Sequence, residues 1–201
     1  MLIFIEKNLV FLSMPKTAST AYIAALAPHA SMLIISPPGL KHMGIGRFNN
    51  RIRPLLEKHR EIQLETLAVI RHPIDWLGSW YRYRQRDAVK NTPRSTCHIS
   101  FDEFVLDYIS QTPPEHAKVG DQAKFLQPAK ATAAITHLFQ YEDQSGLLKF
   151  LEARLKVKIK PKKRNVSPNK LLTLRPETEE KLRKKSHRQF EIWQRAGPHK
   201  L

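Results

Sequence analysis

Short apolar runs alternate along the chain with longer segments of helical period, the order expected of a sheet whose strands are joined through helices. Val10, Phe11 and Leu12 begin the first run, which reaches Met14, and residues 17–26 follow as a helix. Residues 31–36 (SMLIIS) predict a second strand that stops at Pro37-Pro38-Gly39, and residues 47–59 predict a polar helix interrupted near Pro54. A third strand over 66–70 leads into a helix that Pro73 opens and that runs to about Ala88. After a loop over 91–98, Ser100 and Glu103 are spaced as a capping box for a helix over 101–109, with Phe101, Phe104, Val105 and Tyr108 on one face. A helical turn over 120–126, a fourth strand over 136–141, a helix over 144–155 and a last helix over 176–196 complete the pattern. The fold class this predicts is α/β with a central parallel sheet, in one domain spanning residues 1–201.

Composition narrows the classes. A hydrophobic content of 41% argues against general disorder. Cys97 is the only cysteine, which excludes an internal disulfide and with it an exported disulfide scaffold. No stretch approaches the length of a membrane span, and the first apolar run lacks the flanks of a signal peptide, so a cytoplasmic location is expected. The net charge of +16 is unevenly placed. Residues 1–150 carry 18 basic and 13 acidic side chains, and residues 151–201 carry 16 and 5, giving +5 and +11. The strongly basic C-terminal region, 156–201, suits an anionic partner or acceptor, an acidic surface, or simply a solvated face. Within it Lys156, Lys158 and Lys160 alternate with Val157 and Ile159, as in a guarded edge strand.

Candidate chemistry gathers where the first strand meets the first helix, at Ser13-Met14-Pro15-Lys16-Thr17-Ala18-Ser19-Thr20. A strand-to-helix turn of this kind directs backbone N–H groups, the positive helix end, Lys16 and the hydroxyls of Thr17, Ser19 and Thr20 at one place, where a phosphate or sulfate fits. The segment lacks the glycines of a Walker A loop, which disfavours ordinary ATP or GTP hydrolysis, and no Rossmann fingerprint is present. A second strand end carries Arg71-His72-Pro73, with Ser79 eight residues beyond Arg71. The arginine fork and the serine hydroxyl suit a second phosphate.

The two segments together resemble the nucleotide motifs of the sulfotransferases that use 3'-phosphoadenosine 5'-phosphosulfate (PAPS). The resemblance implies a P-loop-like three-layer α/β/α fold and transfer of a sulfuryl group to a hydroxyl acceptor, a carbohydrate among the candidates, with 3'-phosphoadenosine 5'-phosphate (PAP) as product. It implies that Pro15, Lys16, Thr17, Ala18, Ser19 and Thr20 hold the 5'-phosphosulfate, that Arg71 and Ser79 hold the 3'-phosphate, and that Tyr81 packs beside it. Residues 162–169 resemble the family's basic closing loop, so Arg164, Asn165 and Ser167 are expected on the cofactor, and Glu142-Asp143 stands where the family has a Y-E-D-L-like segment. The terminal helix resembles the family's closing aromatic helix through Phe190 and Trp193, with Gln189 in place of its acidic residue. Lacking an anchor or stem, the chain resembles short bacterial cytoplasmic members.

Sulfuryl transfer requires positive charge at the departing phosphate, a role for Lys16, and a general base. His42, in the turn after the second predicted strand, is the first candidate, with Glu65 and Glu142 as carboxylate alternatives. Asp121 and Gln122 are expected on the acceptor side. Trp76, Trp80, Tyr81 and Tyr83, interleaved with Arg82, Arg84 and Arg86, suit either an acceptor or the core. No metal ligand set is predicted. Two other readings compete: a nucleic-acid or polyanion-binding protein, which the basic tail favours, and a small-molecule kinase with a degenerate phosphate loop, which needs a magnesium site that no strand-end aspartate offers.

Overall fold

The computed structural model describes residues 1–58, 63–160 and 172–197. In chain order the elements are β1 (Leu2–Phe4), β2 (Leu9–Phe11), α1 (Ser19–Leu26), β3 (Met32–Leu33), α2 (Pro38–Lys41), α3 (Ile45–Arg51), α4 (Arg53–Glu57), β4 (Glu65–Ile70), α5 (Pro73–Tyr83) and α6 (Asp87–Lys90). They continue with α7 (Phe101–Ile109), α8 (Gln122–Phe125), β5 (His137–Gln140), α9 (Gln144–Leu155), α10 (Pro176–Lys185) and α11 (His187–Arg195). The described residues fall into two compact units, one drawn from 1–71, 122–164 and 195–201, the other from 72–121 and 165–194. Among the described residues no helix is long and apolar enough to cross a membrane.

The first unit is α/β and holds a five-stranded sheet in the order β3-β1-β2-β4-β5. Strands β2, β4 and β5 are parallel, whereas β1 is antiparallel to both β2 and β3, so the sheet is mixed rather than wholly parallel. Chain length explains the departure: four residues separate β1 from β2, room only for a reversal, which a 3-10 turn at Ile5–Lys7 and left-handed Asn8 (φ 50°) provide. The strand taken from sequence as the first is therefore the second. The predicted strand over 31–36 shrinks to the two-residue edge strand β3, with exposed Met32, Leu33 and Ile35.

Alternate residues of the central strands are buried on opposite faces, which parallel strands covered on both sides require. Leu9, Phe11, Leu67, Val69 and Phe139 pack with Tyr22 and Leu26 of α1 and with Leu147, Leu151 and Leu155 of α9. Val10, Ala68, Ile70 and Leu138, which point the other way, are buried as well. Helix α1 is fixed by Tyr22, whose ring meets Phe11 edge-on at 5.6 Å and whose hydroxyl donates to Gln144 Oε1 at 2.6 Å. Burial pushes the Tyr22 phenol up to about 12, so it stays a donor. Residues 156–160, after α9, form no strand. Lys156 is left-handed (φ 58°) and Ile159 is buried against the sheet core, so the alternation of lysines with apolar residues is not an edge.

The second unit is helical among the described residues. Trp76, Leu77 and Tyr81 of α5 pack on Phe101, Phe104 and Val105 of α7 and on Leu182 and Phe190 of α10 and α11. The capping box forms as spaced: Glu103 N–H donates to Ser100 Oγ at 3.2 Å and Ser100 N–H donates to Glu103 Oε2 at 2.7 Å. Asp102 ties α7 to the start of α10, accepting from the Arg175 amide and guanidinium and from Thr178 Oγ1, and the guanidinium holds its carboxyl below the usual carboxylate range. The predicted terminal helix is two, separated at Ser186.

Substitution separates the two anchors of α1. Tyr22→Phe removes only the hydroxyl bond and lowers unfolding free energy by about 1 kcal/mol, whereas Tyr22→Ala removes the ring and lowers it by about 3–5 kcal/mol. Urea unfolding checks the order; equal losses in the two variants contradict it.

Candidate functional site

Parallel pairing brings three strand ends into line. The last pair of β4 and β5 is Ile70 with Gln140, so Arg71 and Tyr141 leave the sheet side by side, and β2 lies on the other side of β4. The chain leaving β2 is the segment Ser13–Thr20. It remains tied to β4 through Leu12 N–H, which donates to the Leu67 carbonyl at 2.8 Å.

Within that segment Lys16 (φ 68°) and Ala18 (φ 58°) are left-handed, and Thr17 between them is not. Ser19 then begins the right-handed α1. Where αR and αL residues alternate, successive N–H groups make an anion-binding concavity, and Lys16 and Ala18 supply the αL positions in this turn. The first amide taken up by the helix is that of Ala21, which donates to the Ala18 carbonyl at 2.9 Å, so the N–H groups of Ser19 and Thr20 precede the ladder. Neither left-handed residue is glycine, and each costs about 1–2 kcal/mol relative to right-handed backbone.

The hydroxyls of this segment differ in role. Thr17 is 1% exposed and its Oγ1 donates to the Met14 carbonyl at 3.0 Å, which pins the turn. Its hydroxyl proton is therefore committed to the loop, a correction to its expected role as a donor to the ligand. Ser19 is buried at the helix start and Thr20 is exposed. Pro15 and Lys16 are half-buried in the turn itself.

Arg71 lies against the same loop. Its Nη1 donates to the Lys16 carbonyl at 3.5 Å, its guanidinium sits 4.3 Å from the centre of the Tyr141 ring, and its Nε is buried with no hydrogen-bond partner. A buried guanidinium donor without an acceptor is a costly feature in a folded protein, and an anion at this point relieves it. His42 reaches the loop from α2: its Nδ1 is 2.6 Å from the Ser13 carbonyl. A carbonyl oxygen can only accept, so Nδ1 carries the proton, and Nε2 of the neutral ring is the basic nitrogen. Burial pushes His42 below its ordinary 6.5 against the opposing pull of the Ser13 carbonyl, with Lys41 adding to the depression.

The other expected residues have these surroundings. Ser79 is half-buried on α5, in the second unit. Arg164, Asn165 and Ser167 lie outside the described residues. Glu65 opens β4, at the opposite end of the strand from Arg71, and its carboxylate is committed to His137 at 2.7 Å and Arg154 at 2.9 Å. Gln122 is 1% exposed and bonded to the Arg71 backbone, not presented to an acceptor. Asp121 accepts from Gln189 Nε2 at 3.3 Å within the second unit. Trp76 and Tyr81 belong to the core, and Arg84 is buried with its guanidinium on the Glu115 and Lys118 carbonyls, so none of the three is left for an acceptor. Tyr83, by contrast, is exposed, with Arg86 over its ring at 5.0 Å.

Sequence reading passed over Tyr141, although the parallel register of β4 and β5 sets it beside Arg71. It also missed the clasp between Gln122 and Arg71, for which the linear chain holds no signal. No family model, curated protein or solved structure matches the chain.

The placement of His42 has a consequence for stability. Between its depressed folded value and 6.5 the unfolded chain binds a proton that the folded chain does not, so stability falls as pH drops through that window. His42→Gln removes this part of the fall. Urea midpoints at about pH 7.5 and 5.5, compared between the two proteins, check it; an equal fall in both contradicts the burial of a neutral imidazole.

Proposed function

We propose that this protein is a PAPS-dependent sulfotransferase that moves a sulfuryl group to an acceptor hydroxyl, of a carbohydrate in the reading the resemblance favours, on a P-loop-like three-layer scaffold. The observation that carries the proposal is the juxtaposition of the left-handed Lys16–Ala18 turn with the unpartnered, buried Nε of Arg71. Convergent amides, a lysine and an arginine with an unmet donor form a donor set for an anion with several oxygens, and the residues present fit a phosphosulfate and its nucleotide.

PAPS, when bound, supplies an activated sulfuryl group whose bond to phosphate is the one broken. The amides of Ala18, Ser19 and Thr20 hold the 5'-phosphate end, and Lys16 neutralises the charge that gathers on the departing phosphate. His42 Nε2, its charged form disfavoured by burial, would take the proton of the acceptor hydroxyl. Arg71 secures a phosphate oxygen of the nucleotide. Ser79, Arg164, Asn165 and Ser167 join the cofactor set on the strength of the sequence motifs alone.

A small-molecule kinase is the weaker reading, because Ser13, Arg71 and Tyr141 stand at the strand ends where metal-linked phosphoryl transfer places a carboxylate. Polyanion binding accounts for the basic region 156–201 and leaves the strained turn without a purpose.

Calorimetric titration with PAP tests the proposal. The bisphosphate binds more tightly than ATP, and Lys16→Ala and Arg71→Ala each weaken it by about tenfold or more, the loss of a charge-assisted hydrogen bond. Failure of PAP to bind while ATP or a nucleic acid binds overturns the assignment.

A further inference from the structure

The ladder between β4 and β5 ends where the Tyr141 amide donates to the Ile70 carbonyl at 2.7 Å. Arg71 is the next residue, beyond the last paired strand position, yet both of its backbone groups are held. Its N–H donates to Gln122 Oε1 at 3.0 Å, and Gln122 Nε2 donates to its carbonyl at 2.9 Å. One carboxamide thus does for Arg71 what a neighbouring strand does for the residues before it. Gln122 is itself 1% exposed at the start of α8.

Clasping the backbone narrows where the side chain can go. From a fixed Cα, the guanidinium is laid between the Lys16 carbonyl and the face of Tyr141, whose ring attracts the cation. The same tyrosine is steadied from behind, because Gln144 Nε2 donates to its carbonyl while Gln144 Oε1 accepts from Tyr22 of α1. Arg71 is thereby set relative to the very helix whose first turn forms the anion hollow. An arginine with its long stem unrestrained gives up rotamer freedom when it binds; one held in place has given it up already.

We infer that Gln122 is a positioning residue that acts through Arg71, pre-setting the guanidinium for the anion at the Lys16 turn. This rests on the nucleotide reading above and deepens it. A buried glutamine that served packing alone is replaceable by leucine of similar volume, with the same loss whatever stands at position 71. A glutamine acting through Arg71 loses its effect when Arg71 is gone.

The test is a double-mutant cycle on the full chain, with PAP as the titrant and calorimetry as the readout. Gln122→Leu weakens binding about tenfold when Arg71 is present, as one charge-assisted hydrogen bond is worth, and about onefold, that is not at all, in the Arg71→Ala background. Equal weakening in both backgrounds overturns the inference while leaving the nucleotide reading standing. A second measurement is independent of the nucleotide: the Arg71 Nε–H proton resonance, displaced by the Tyr141 ring in the unaltered protein, moves toward the value of an unstructured arginine in Gln122→Leu. An unchanged resonance in a folded Gln122→Leu overturns the inference even if PAP never binds.

Discussion

The backbone between Lys16 and Ala18 is bent into a form that residues with a Cβ resist, and the first unit is arranged to hold it there. Left-handed conformations at two non-glycine residues within three positions are stable only where the surrounding structure over-determines them. Upstream, β2 is paired on both sides, by β1 and β4. Downstream, α1 is anchored by the Tyr22 ring on Phe11 and the Tyr22 hydroxyl on α9. Between the two, Thr17 closes the turn on the Met14 carbonyl. The Ser19 and Thr20 amides that follow this turn stand ahead of the helical ladder.

Basic groups gather at this place. Lys16 and Arg71 are cationic and the helix start adds its partial positive charge, while burial disfavours the charged form of His42. The carboxylate at the far end of β4, Glu65, is neutralised by His137 and Arg154 rather than competing for the cations here. An arrangement of this sign suits a multiply charged anion more than a neutral ligand.

Much of this was legible along the chain, and what was not has physical reasons. The apolar run into Ser13, the run into Arg71 and the capping box at Ser100 and Glu103 are local signals, and each became the expected strand end or helix start. Helix α9 follows its expected range, and Asp143 marks its start by accepting from the Gly146 amide. β1 was overlooked because three apolar residues carry no period, and its pairing is dictated by the short link to β2. The long terminal helix is broken at Ser186, with Leu182 before the break and Phe190 after it both in the core. At the site, Lys16 and Arg71 were readable from their types and positions. The place of Tyr141 and the clasp of Gln122 on the Arg71 backbone were not, since the first depends on strand register and the second on a contact 51 residues distant.

The most direct measurement is the shift of backbone amide resonances on titrating PAP into the labelled protein. If the anion is held by the strained turn, the amides of Ala18, Ser19 and Thr20 move downfield together and saturate at one affinity, with the Arg71 side chain following the same curve. Perturbation confined to the basic helices α10 and α11, with Ala18, Ser19 and Thr20 unmoved, contradicts it.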